Sequence, residues 1–176
     1  MTKKQELFTI GHSTRTIQYF IDLLKAYDIE LVVDVRTIAK SRHNPQFNEE
    51  SLQDTLHSAG ITYVHLTKLG GLRHALKDSI NTAWHNLSFR GFADYMQTPP
   101  FWEGLEELEL LAKKHKAAIL CAEAVPWRCH RSLIADALTL RKWKVFHIQS
   151  KKTAKLHELT PFLHADKSGM LVYKEN

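Results

Sequence analysis

Two cysteines are all that the 176-residue chain contains, too few for a disulfide-stapled secreted scaffold. Glycine is sparse, at seven residues, and proline sparser, at five; collagen-like and linker-like architectures are excluded. There is no Gly-x-Gly-x-x-Gly dinucleotide fingerprint and no P-loop lysine motif. No stretch approaches the roughly 20 apolar residues that a membrane span needs. The opening residues, MTKKQELFTI, have no long apolar core of the signal-peptide kind. No internal repeat or low-complexity segment stands out. These absences lead us to expect a cytoplasmic protein with reduced thiols and no membrane partner.

What is present is ordinary for a globular chain: 44% apolar and 24% charged residues, with a formal net charge of +5. The length suits one domain, 1–176, with a substantial core. The positive balance favours anionic partners such as nucleotides, nucleic acids or phosphorylated metabolites. Eleven histidines are many for this length.

The stretch Ala117–Arg141, AAILCAEAVPWRCHRSLIADALTLR, organises the rest. Its apolar start, Ala118-Ile119-Leu120, suits a buried parallel strand. Leu133, Ile134, Ala137, Leu138 and Leu140 have helical spacing. The loop between them holds both cysteines, Cys121 and Cys129, with Glu123, Arg128, His130 and Arg131. Unpartnered N–H groups and the dipole at a helix start favour anions.

Elsewhere strands are expected at Leu7–Ile10, Leu31–Val33, Ile61–Leu66 and Lys144–Ile148. Helices are expected after Ser13 or Thr14 as cap, after Asn48 or Ser51, around Leu105–Ala112, and as a short last helix through Leu156, Leu159 and Phe162. Residues 67–98 show no clear period and read as a long functional loop or lid. Such alternation predicts a single three-layer α/β/α domain around a mainly parallel, Rossmann-like sheet of about five strands.

In such sheets ligands bind beyond the C-terminal strand ends. Those ends read Gly11-His12-Ser13, Asp34-Val35-Arg36, Lys68-Leu69-Gly70-Gly71 and Cys121-Ala122-Glu123. Their convergence is the physical ground for expecting a site.

The segments TIGHST, VDVR, SRHNPQFN, YVHLTKLGG, SFRGFADYM and CAEAVPWRCHRSLIADAL resemble the family named Domain of Unknown Function 488. The resemblance runs from about Phe8 to Ile148. It implies an α/β domain and no assigned activity, so the chemistry rests on the residues.

Candidate catalytic groups are His12, Asp34, Cys121, Glu123, Cys129 and His130. A cysteine near a helix start and arginines can be a low-pKa thiolate, and the carboxylates and histidines suit acid–base work. Candidate substrate-binding groups are Ser13, Arg36, Arg42, Gly70, Gly71, Arg73, Arg90, Arg128 and Arg131. Arginine takes phosphate or carboxylate oxygens in pairs, and glycine lets backbone approach a ligand. The cysteine-phosphatase layout is matched only loosely: six residues, not five, separate Cys121 from Arg128, and Pro126 and Trp127 stand where that loop has glycines.

Two functions from different classes follow. One is an enzyme that hydrolyses, or transfers a group from, a small phosphorylated or nucleotide-like anion. The other is a non-catalytic nucleic-acid-binding module, with Trp84, His85, Phe89, Phe92 and Tyr95 stacking a base while Arg90 meets a phosphate. A Cys/His metal protein is a further alternative, since Cys121, Cys129, His130 and His12 are soft ligands, though no paired-ligand spacing is present and no metal is assigned. No cofactor is specified.

Overall fold

A computed structural model describes residues 5–175. Six strands form the central sheet in the order β3-β2-β4-β1-β5-β6. They are β1 (Glu6–Gly11), β2 (Leu31–Asp34), β3 (Thr62–His65), β4 (Ala117–Cys121), β5 (Lys144–Ile148) and β6 (Ala154–Leu156). The first five in that order run parallel, and β6 pairs antiparallel with β5. The expected strands are present, with β6 added at the edge.

The central strands β2 and β4 are buried along their whole length, as near-continuous apolar runs in a doubly covered sheet must be. Alternate side chains feed two cores. Phe8, Ile10, Val32, Ala118 and Leu120 face α1 (Ile17–Ala26) and α2 (Glu49–Ser58). Leu7, Val33, Ile119, Cys121 and Val145 face α3 (Leu87–Tyr95), α4 (Pro99–Lys114) and α5 (Arg131–Leu140). The layers are therefore α/β/α.

Local chemistry sets the helix ends. Thr16, not Ser13 or Thr14, caps α1 by accepting from the Tyr19 amide. Ser13 instead takes a left-handed backbone, φ 48°. Asn48 occupies the N-cap of α2, and Gly60, at φ +79°, follows its end, a conformation that suits glycine. Pro99 and Pro100 open α4, where a missing N–H costs nothing.

Two expectations change. Residues 67–98 are not one long loop: they contain a 3-10 turn at Thr67–Leu69 and helix α3, capped by Asn86 through the Ser88 and Phe89 amides. Nor is there a last helix through Leu156–Phe162. Leu156 ends β6, an irregular stretch follows it, and the tail forms a two-stranded antiparallel pair, β7 (Leu163–Ala165) and β8 (Leu171–Tyr173). The apolar spacing came from residues serving different contacts. Leu156 is half exposed on edge strand β6, while Phe162 packs on Trp84.

Candidate functional site

The C-terminal ends of β2, β4 and β1 lie side by side, and the loop after β4 folds back over them. The amides of His12 and Ser13 donate to the carbonyls of Cys121 and Ala122 at 3.0 and 2.8 Å. A Cβ on Gly11 would collide with the Glu123 carbonyl, so this glycine admits the loop rather than a ligand. The loop then makes a 3-10 turn, Pro126–Arg128, and enters α5. Beside it is a cleft of about 300 Å³ lined by Arg36, Lys40, Glu123, Arg128, His130 and both cysteines.

Cys121 and Cys129 lie sulfur against sulfur, a pairing that the sequence leaves open beside reduced thiols. Three groups surround the pair. Arg131 Nη1 donates to Cys121 Sγ at 3.0 Å, the Arg131 amide to Cys129 Sγ at 3.5 Å, and His130 Nδ1 lies 3.5 Å from Cys129 Sγ. The other ring nitrogen of His130 donates to the carbonyls of Val35 and Leu69. That fixes the tautomer, leaving Nδ1 unprotonated toward the sulfur. Burial pushes the His130 pKa down to about 4.

Arg131 is not the surface anion binder expected. It is 1% exposed, with Nη2 donating to the Ala124 carbonyl and Nε without a partner among the described residues. Burial, then the nearby Arg15 charge, lowers its pKa to about 9.

A second network holds β2 against its neighbours. The Asp34 carboxylate accepts from Arg36 Nη2 at 2.7 Å, Arg36 Nε at 3.0 Å and the Tyr63 hydroxyl at 2.5 Å. Burial and then the Asp34 charge push the Tyr63 pKa far up. Arg36 Nη2 also donates to the Phe47 carbonyl, and Nη1 lies 3.4 Å from His12 Nε2. His12 stacks on Phe47 and bonds the Ser13 carbonyl through Nδ1; burial lowers its pKa. Asp34 and His12 therefore hold Arg36 in place and do not themselves line the cleft.

The other predicted binders divide. Arg128 and Gly71 line the cleft, but a Cβ on Gly71 would meet the His130 ring and one on Gly70 would meet Thr37. Both glycines make room for protein. Arg73 bonds the Gly70 and Thr67 carbonyls and lies 3.6 Å over the Tyr95 ring. Arg90 bonds the Trp84 and Thr82 carbonyls. These two line a separate depression. Arg42 is exposed and Ser13 half-buried, both away from the cleft lining. Lys40, which sequence reasoning did not single out, supplies the third cation of the cleft beside Arg36 and Arg128. Its place in the polar loop after β2 was the available signal.

The expected base-stacking aromatics are packing groups. Trp84 sits against Phe89, Phe162 and Tyr173, and Phe92 is fully buried against Phe101. Among the described residues no cluster of three or more His, Cys, Asp or Glu converges as a metal site. No helix among them is long and apolar enough to cross a membrane.

Fold and cleft together define an α/β/α domain with a cationic, cysteine-bearing cleft at the C-terminal edge of its sheet. The family described as domain of unknown function DUF488 matches residues 16–138, and the chain belongs to that family. No curated protein and no solved structure matches it.

Proposed function

We propose that the protein is an enzyme that hydrolyses a small phosphorylated anion by covalent catalysis at Cys121. The observation that carries this reading is the buried Arg131 guanidinium 3.0 Å from Cys121 Sγ. A buried cation is costly without a countercharge, and reduction of the cysteine pair supplies one as a Cys121 thiolate.

Lys40 and Arg128 neutralise the substrate, with Arg36, held by Asp34, on the cleft wall. The thiolate forms a bond to phosphorus as the bond to the leaving oxygen breaks, and that oxygen takes a proton from solvent to leave as the alcohol. Water then attacks phosphorus, Cys121 leaves as thiolate, and Glu123, exposed on the cleft wall, takes the proton from the water. Pairing with Cys129 removes the nucleophile, so the active form belongs in a reducing compartment such as the cytoplasm.

The test is hydrolysis of a panel of phosphate monoesters by the reduced protein. Cys121→Ser is expected to lose at least about 1000-fold in rate and Glu123→Gln about 100-fold. Undiminished turnover in Cys121→Ser would remove the cysteine from the mechanism. The nucleic-acid alternative has less support, because Trp84, Phe92 and Arg90 are committed to intramolecular contacts.

A further inference from the structure

The loop after β4 has a cleft on each side. Its 3-10 turn is their common wall: Arg128 lines the first cleft, and the preceding Trp127 lines the second, of about 370 Å³. Trp127 is 66% exposed, an unusual position for a side chain with so much apolar area to bury. Across the same cleft Trp84, packed on Phe162 and Tyr173, contributes apolar wall. Exposed Gln149, Lys155 and Glu158 complete the polar side.

His147 and His157 also reach this cleft, but their nitrogens are occupied. Thr9 Oγ1, His147, His157 and Asp136 form a chain of hydrogen bonds at 2.6, 2.8 and 2.7 Å. Asp136 also accepts from Thr160 and the Tyr173 hydroxyl. This chain fastens the tail to α5 and β5 and leaves ligand recognition to the other groups.

We infer that the second cleft is the base subsite of a nucleotide whose phosphate lies in the first; this rests on the anion reading above. A nucleobase is flat, aromatic and polar at its edge. Its face stacks on the Trp127 indole. Its edge takes both donor and acceptor from the exposed Gln149 amide. Ribose hydroxyls suit the Glu158 carboxylate.

Calorimetric titration of the reduced, intact chain with inorganic phosphate, adenosine and the four nucleoside monophosphates tests this. At least one monophosphate is expected to bind about ten-fold or more tighter than phosphate. Trp127→Ala removes that margin and leaves phosphate affinity unchanged. Arg128→Ala weakens phosphate and nucleotide alike. Nucleotides no tighter than phosphate, or a margin that survives Trp127→Ala, overturns the inference. Failure of phosphate to bind while adenosine binds in a Trp127-dependent way supports the base subsite and defeats the anion reading instead.

Discussion

Arg131 Nη1 stands 3.0 Å from Cys121 Sγ, and the arginine that makes this contact is among the most deeply buried side chains of the protein. A guanidinium so placed gives little to the fold that an apolar side chain of similar volume could not. Its value lies in the charge it presents to sulfur. Arg131→Met is therefore expected to keep the denaturation midpoint close to that of the parent. The apparent pKa of Cys121 alkylation rises toward the ordinary thiol value of about 8.5. Chemical denaturation and alkylation rates against pH, run on the same preparation, check both halves.

The Asp34–Arg36 pair behaves in the opposite way. Asp34 is fully buried and gathers Arg36 and Tyr63. Asp34→Asn leaves the guanidinium short of its countercharge, and breaking a buried pair in this way costs about 3–5 kcal/mol. Urea denaturation should register that loss.

Gly71 is required by the His130 ring. A Cβ there would sit 2.5 Å from His130 Nδ1. Gly71→Ala is expected to tilt the ring away from Cys129 and slow Cys129 alkylation several-fold, with the fold retained. A crystal structure of the variant would show the displaced imidazole.

Acid stability follows from two histidines. Burial pushes His147 down to about 3 and His130 to about 4, against about 6.5 in an unfolded chain. Between those values the unfolded state binds protons that the native state refuses. Stability is therefore full above about pH 6.5, falls as the pH drops below it, and levels off near pH 3–4. His147→Gln should flatten part of that slope in denaturation midpoints measured from pH 7 to 4.

Much of this architecture is legible in the sequence. Leu31-Val32-Val33 and Ala118-Ile119-Leu120 read as buried strands because a doubly covered sheet favours near-continuous apolar runs. The α1 period survives because one face alone is buried. Helix α3 was hidden by its mixed aromatic and basic composition and by Gly91, although Asn86 supplied a capping signal. The false last helix arose from apolar spacing shared by an edge strand and a turn. At the site, the strand-end rule brought Cys121, Glu123, Arg36 and Arg128 to one cleft. It could not show that Arg131 turns inward, that Arg73 and Arg90 are spent on carbonyls, or that Gly70 and Gly71 yield to Thr37 and His130. Those outcomes depend on side-chain direction across elements far apart in the chain.

The most direct test of the central claim is the pH dependence of alkylation at Cys121 and Cys129 in the reduced native protein, resolved by mass spectrometry. An Arg131-held thiolate predicts an apparent pKa below about 7 at Cys121. A value near about 8.5, or no reaction at Cys121 across the range, would contradict it.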